Sequence, residues 1–162
     1  HLFLLLIMFD VCLGTVYKFD LTDTIQFGDL PTELLYKLFK DGRCCSTLLS
    51  KFLERKFNDL IYVDAKGYDY IHTVLNEIEK KQITNNGLKF SPSSMIGAGR
   101  KVDYSQVVKH IHDNDLTYLI ADITSFPEIT VMFIKGSDLL DKCSNKSCTF
   151  TKIKAQELFK CS

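Results

Sequence analysis

Apolar residues recur at helical spacing in two early segments of the chain. Residues 30–33 (LPTE) place a proline and an acid where a first helical turn begins, and the three leucines that follow fall on one face. The helix is expected to break at residues 41–43 (DGR). A second helix, capped by Ser46, is predicted from the apolar residues at helical spacing between 48 and 57.

Shorter apolar runs follow, and they predict strands. Residues 73–84 alternate between the two sides of a strand, and the NNG sequence after them is a strong turn signal. The other predicted elements are strands over 60–63, 68–71, 116–122 and 129–134, a helix over 103–112, and a strand or helix over 151–159. Helices first, then strands mixed with helices, predict an α/β or α+β sandwich.

The start of the chain is apolar, and we interpret residues 1–29 as an N-terminal extension to a domain over 30–162. Residues 1–14 (HLFLLLIMFDVCLG) resemble a signal peptide, but Asp10 interrupts them and no basic region leads them. They are also too short to span a bilayer. A buried terminal element or a fragment boundary is the favoured interpretation, with a signal peptide as the alternative.

Charge is balanced over the whole chain but not along it. Lys plus Arg and Asp plus Glu number 20 each, which by itself counts against a nucleic-acid binder. Between Lys80 and His112, however, six basic residues accompany a single acid, Asp103. A basic segment inside a neutral chain is typical of a binding face rather than of a basic tail.

The six cysteines leave the cellular compartment open. An even count beside an apolar N-terminus fits a secreted, disulfide-bonded protein. Cys44 and Cys45 are adjacent on a predicted helix, and Cys143 and Cys148 lack the usual spacing of a zinc knuckle. We therefore expect free thiols in an intracellular, cytoplasmic protein and no structural zinc; secretion is the alternative.

Candidate chemistry lies on the strand predicted over 73–84. Residues two apart on a strand project from one face, so Glu79 and Lys81 are expected side by side, with Asp69 brought alongside by a neighbouring strand. Two acids and a lysine are the minimal set for metal-assisted phosphodiester hydrolysis. The alternative is that Glu79 and Lys81 belong to a solvated strand face.

The loop after this strand combines glycines, hydroxyls and cations. Residues 86–101 (NGLKFSPSSMIGAGRK) can approach a phosphate backbone through amides, hydroxyls and guanidinium, although the composition also suits an ordinary loop. The candidate DNA contacts in this segment are Lys89, Ser93, Ser94, Arg100 and Lys101.

KGYD at 66–69, EKKQIT at 79–84 and the segment 86–101 together resemble type II restriction endonucleases of the PD-(D/E)XK nuclease superfamily. The similarity extends over about residues 30 to 140. It implies a central mixed β-sheet flanked by helices, that is, a restriction endonuclease-like α/β fold. It also implies cleavage of double-stranded DNA with Mg²⁺.

By the same resemblance, Asp69 and Glu79 would hold the metal, Lys81 would position the attacking water, and Glu54 would be an accessory catalytic acid. The chain departs from the family in that no proline precedes Asp69, and Glu77 competes with Glu79 for the acid position. It is also short for a site-specific endonuclease, so we expect a homodimer to complete recognition.

The expected function is therefore a magnesium-dependent, site-specific DNA endonuclease that does not act at a membrane. Two alternatives stay open. One is a secreted, disulfide-bonded binding domain, and the other is an inactive nuclease-like domain that binds DNA.

Overall fold

The computed structural model of the chain describes residues 7–22, 28–92 and 101–160. Ser93, Ser94 and Arg100, three of the predicted DNA contacts, lie outside these ranges. The strands are β1 (Val16–Asp20), β2 (Leu60–Ala65), β3 (Tyr68–His72), β4 (Asn76–Ile83), β5 (Leu88–Lys89), β6 (Thr117–Asp122), β7 (Glu128–Lys135) and β8 (Thr149–Phe150). The helices are α1 (Thr32–Phe39), α2 (Gly42–Glu54), α3 (Tyr104–Asp113), α4 (Gly136–Lys142) and α5 (Lys152–Glu157), which a 3₁₀ turn at Leu158–Lys160 extends.

Six of the strands form one mixed sheet in the order β1-β7-β6-β4-β3-β2. Strands β4 and β6 are parallel, and every other neighbouring pair is antiparallel. The parallel pair requires a crossover, which α3 supplies between β4 and β6. Strands β5 and β8 form a separate two-stranded sheet.

Helices cover both faces of the six-stranded sheet and make two cores. Helices α1 and α2 pack on one face, where Leu49 and Leu53 meet Tyr70, Ile78 and Leu119. Helices α3, α4 and α5 pack on the other face, where the buried residues include Ile83, Val107, Ile111, Tyr118, Leu139 and Ala155. The protein is therefore mixed α/β with a central sheet between two helical layers, as expected.

The predicted elements are largely confirmed, but the predicted start of the second helix is wrong. The helix begins at Gly42, and Asp41 is its N-cap through a hydrogen bond from the Arg43 backbone N–H to Oδ1 at 2.9 Å. Ser46 lies one turn inside the helix, where its carbonyl accepts a hydrogen bond from Lys80 Nζ. The tail, predicted as strand or helix, is helical.

The N-terminal segment is joined to the central sheet. Strand β1 pairs antiparallel with β7, with Val16 opposite Met132. Phe9 and Tyr17 pack edge-to-face, and the Tyr17 ring lies 4.8 Å from that of Phe57. Within the ranges given above, none of the helices combines the length and apolar character needed to cross a membrane.

Candidate active site

The candidate site is built on the hairpin formed by β3 and β4. Tyr70 pairs with Ile78 and Ile71 pairs with Glu77, so the same antiparallel register brings Asp69 opposite Glu79. Because side chains alternate along a strand, Glu79 and Lys81 project from one face of β4, together with buried Ile83. This is the face covered in part by α3.

Asp69 is fixed by a hydrogen bond across the hairpin. Its Oδ2 accepts from the backbone N–H of Lys80 at 2.8 Å. One carboxylate oxygen is thereby oriented by the sheet itself, and a carboxylate has further lone pairs for a second partner. Asp69 is half-buried, so that second partner can reach it from solvent.

Glu79 and Lys81 form a close ion pair with little exposure to water. Lys81 Nζ lies 2.7 Å from Glu79 Oε1, and the two side chains are 16% and 10% exposed. Burial raises the pKa of Glu79, the Lys81 charge opposes that shift, and the Asp69 charge adds to it. The Lys81 ammonium therefore partly offsets the cost of holding the Glu79 carboxylate away from water.

The intervening residue, Lys80, is buried on the opposite face and belongs to a different network. Its Nζ donates to the Ser46 carbonyl at 2.6 Å and to Ser50 Oγ at 2.6 Å. Tyr70 Oη donates to the Ser50 carbonyl at 2.9 Å in the same place. Burial lowers the pKa of Lys80 to about 8. Lys80 therefore anchors α2 to the sheet.

His110, which the sequence did not single out, lies beside the carboxylates. Its Nε2 is 3.4 Å from the carbonyl oxygen of Gly67, and its Nδ1 is 2.9 Å from Asn114 Nδ2. A tautomer with the proton on Nε2 satisfies both contacts. A protonated imidazole at this position would lower the pKa of Glu79. A histidine on an amphipathic helix gives no sequence signal for this placement, because it depends on how α3 crosses the sheet.

Gly67 explains why the turn before β3 approaches His110 so closely. Its φ of +98° lies in the left-handed region, and a Cβ there would be 3.3 Å from His110 Cε1. The contact holds the β2–β3 turn two residues before Asp69. The position of the carboxylate therefore depends on α3 as well as on the hairpin.

Glu54, the predicted accessory acid, is engaged elsewhere. It is the last residue of α2, the helix that packs on the face opposite Glu79, and its Oε2 lies 3.2 Å from Lys51 Nζ. It lines a surface depression with Met8, Arg55 and Leu60. The structure does not assemble it with the other three residues, and we leave it out of the proposed catalytic set.

The two remaining predicted DNA contacts within the described ranges are exposed. Lys89 belongs to β5, whose partner is β8, and Lys101 is the first residue described after the gap. Both cations follow β4 in the chain and are available to a polyanion.

Cysteines contribute no cross-link to the part of the chain that is described. Cys12, Cys44, Cys45, Cys143 and Cys148 are all free thiols, as expected, and Cys161 lies outside the described residues. Cys45 and Cys148 are buried, and burial raises the pKa of each to about 11.

A magnesium ion fits the donor set at the hairpin. In the ranges that the structure describes, no group of three or more His, Cys, Asp or Glu residues could hold a metal. Magnesium, however, commonly uses only one or two protein carboxylates and fills its other positions with water and substrate phosphate. Asp69 and Glu79 supply that number, from facing positions on adjacent strands.

Comparison with known proteins found no matching family model, no matching curated protein and no matching solved structure. The function of the protein therefore has to follow from the residues and geometry of the chain itself.

Proposed function

We propose that this protein is a magnesium-dependent endonuclease that hydrolyses phosphodiester bonds in double-stranded DNA. The observation that carries the proposal is the cluster of Asp69, Glu79 and Lys81 on the β3–β4 hairpin. Two carboxylates at facing positions, with a lysine ammonium 2.7 Å from one of them, supply the groups that this reaction requires.

The two acids have one role and the lysine has another. Asp69 and Glu79 would hold the magnesium ion, and bound magnesium would polarise the phosphate and make the attacking water more acidic. Lys81 places a positive charge beside Glu79, where it orients the nucleophile and stabilises the negative charge that develops on the phosphate oxygens. Its shielding from solvent strengthens that interaction.

The same proposal includes the restriction endonuclease-like fold. It is supported by the mixed sheet between two helical layers and by the position of the three residues on adjacent strands. The resemblance in sequence implied the same three residues. Lys89 and Lys101 are the proposed DNA contacts among the described residues.

A homodimer and an intracellular, cytoplasmic location complete the proposal. Two sites related by a twofold axis suit a palindromic duplex. Ile61 and Ile71 pair across the edge of the sheet on the Glu79 face and are 51% and 39% exposed. Apolar exposure of this kind is compatible with a subunit interface. Free thiols at the five described cysteines support the intracellular location.

The test is cleavage of duplex DNA of mixed sequence with and without magnesium, followed by sizing of the products. We expect the parent to cleave only with the metal, and Asp69→Asn and Glu79→Gln to lose cleavage. Glu77→Gln is the matched control, because Glu77 lies on the same strand two residues earlier and lacks the lysine partner that Glu79 has.

Three outcomes would count against the proposal in different ways. An active Glu79→Gln with an inactive Glu77→Gln would place the site two residues earlier on β4. Cleavage that is unchanged in every variant would remove the hairpin from the chemistry. DNA binding without metal and without cleavage would favour an inactive nuclease-like binding domain.

A further inference from the structure

A second polar feature lies beyond the end of β4, on the side of α1 and α2. It is a groove of about 550 Å³ between the last turn of α1, the start of α2 and the turn that follows β4. Its polar lining includes Lys37, Lys40, Arg43, Thr84, Asn85 and Asn86. We call it the basic groove.

The groove carries an excess of positive charge in a chain whose formal net charge is zero. Lys37 and Lys40 are exposed, and neither forms an ion pair with any other residue in the described ranges. Asp41, the acid in the lining, is already engaged: its Oδ2 lies 3.2 Å from Arg43 Nη2, and its Oδ1 caps α2. The two lysines are therefore available to an anionic ligand.

Neutral donors lie on the opposite wall. Lys152 Nζ donates to Asn85 Oδ1 at 3.1 Å, which adds a further cation beside the turn and leaves the Asn85 amide NH₂ as a donor. Thr84 pairs with Gly87 to close this turn. Cations facing amides and a hydroxyl form the combination by which proteins contact phosphate and sugar in a nucleic-acid backbone.

The groove is close to the proposed active site. Strands β3 and β4 are antiparallel, so the start of β3, with Asp69, and the end of β4, with Lys81, lie at the same end of the sheet. Thr84 follows Lys81 by three residues, which on an extended strand is about 10 Å. Measured along the axis of a duplex, that distance corresponds to about three base-pair steps.

We propose that the basic groove binds the phosphate backbone of a nucleic-acid strand, next to the phosphate held by Asp69, Glu79 and Lys81. The inference rests on the proposed function for its ligand, and it adds a contact site that contains none of the five candidate DNA contacts between Lys89 and Lys101. The nucleic-acid strand passes around the end of β4, because the carboxylates and the groove lie on opposite faces of the sheet. Acidic peptides would share the charge but not the regular spacing of phosphates.

The experiment measures binding of a fluorescently labelled duplex to the full chain in EDTA over a range of salt concentrations. The test variant is Lys37→Ala with Lys40→Ala. It leaves Arg43, Asp41 and the cap of α2 intact. The control is Lys142→Ala with Lys146→Ala, which removes the same charge from exposed residues at and after the end of α4.

We expect the test variant to bind about tenfold more weakly and to lower the salt dependence of log K by roughly two, with the control close to the parent. Equal weakening in both variants, a test variant that binds like the parent, or a parent that does not bind DNA would each overturn the inference. Competition by polyglutamate as strong as that by unlabelled DNA of matched charge would overturn it too, in favour of a general polyanion site.

A parallel cleavage assay with magnesium separates this inference from the proposed function. If the parent cleaves DNA and the test variant binds DNA as tightly as the parent, the groove proposal is overturned and the nuclease proposal stands. If the test variant binds more weakly but the parent never cleaves, the groove proposal stands and the nuclease proposal is overturned. The two proposals therefore fail on different measurements.

Discussion

Glu79 and Lys80 are consecutive in the chain and both are buried, yet their charged groups lie on opposite faces of the central sheet. Glu79 pairs with Lys81, whereas Lys80 donates to Ser46 and Ser50 on α2. The strand therefore divides three adjacent charged residues between a candidate catalytic site and a helix anchor.

Lys81→Ala should separate binding from chemistry. The charge that Lys81 stabilises develops mainly in the transition state, so cleavage should fall by on the order of a hundredfold or more while metal-assisted DNA binding persists. Glu79→Ala should lose both. Single-turnover cleavage and DNA binding in calcium would be measured for each variant, and equal loss of binding in the two would contradict separate roles.

Glu79→Gln should stabilise the protein in the absence of metal. The folded-state pKa of Glu79 lies above its ordinary value because of burial, so the stability associated with this group declines as pH rises through the folded-state pKa. The amide that Glu79→Gln introduces has no charge to bury, and its oxygen can still accept a hydrogen bond from Lys81. Thermal melting in EDTA should show a higher midpoint for the variant near neutral pH and a smaller difference at about pH 4.

With magnesium, the parent should melt at a higher temperature than Glu79→Gln. The ion stabilises the folded parent by binding to it, and the variant has lost a ligand, so the parent should gain more in melting temperature. A variant that melts below the parent in EDTA at neutral pH, or one that gains as much from magnesium, would contradict the assignment of Glu79.

Lys80→Met should change how stability depends on alkaline pH. In the folded protein Lys80 loses its proton near pH 8, whereas the unfolded chain keeps it to about 10.5. Between these values the unfolded state binds more protons, so the parent gains stability relative to the variant as pH rises, by up to roughly 3 kcal/mol. Urea unfolding of both proteins at neutral and alkaline pH measures the difference between their free energies of unfolding. The titration of all other groups cancels in this difference, because both proteins contain them. A difference that does not change with pH would mean that the lysine is solvated.

The cysteines should react in the order of their exposure. Cys12 and Cys44 are exposed, whereas Cys45 and Cys148 are buried with a pKa raised to about 11. Relative to the ordinary value of 9.0, that shift reduces the thiolate fraction at neutral pH about a hundredfold. Alkylation of the unreduced protein, with peptide mapping, should label the first two rapidly and the second two only on unfolding. Intact disulfides at these positions would instead favour the secreted alternative.

The strand pattern was the part of the sequence that carried most information. The alternation over 73–84 predicted β4, and with it the shared face of Glu79 and Lys81, because successive side chains on a strand project to opposite faces. Asp69 was expected to be brought alongside by a bent or neighbouring strand, and the register of β3 and β4 brings it opposite Glu79.

The start of α2 shows why other features could not be predicted. Gly42 was interpreted as part of a helix break, but it is the first residue of the helix. A Cβ at this position would lie 2.7 Å from Gln82 Oε1, so the glycine allows the helix to approach β4. That requirement comes from a residue far away in the sequence. The same holds for His110 and for the basic groove, whose members meet only when the chain has folded.

The pairing of Val16 with Met132 has a consequence for synthesis of the chain. The ribosome makes β1 about a hundred residues before its partner β7, so β1 has no neighbour in the sheet until β7 has emerged. Phe57 is made well before β7, so the rings of Phe9, Tyr17 and Phe19 that pack around it can form this cluster first. Pairing of β1 with β7 joins residues far apart in the sequence, and closure of the sheet at this edge is therefore expected late in folding.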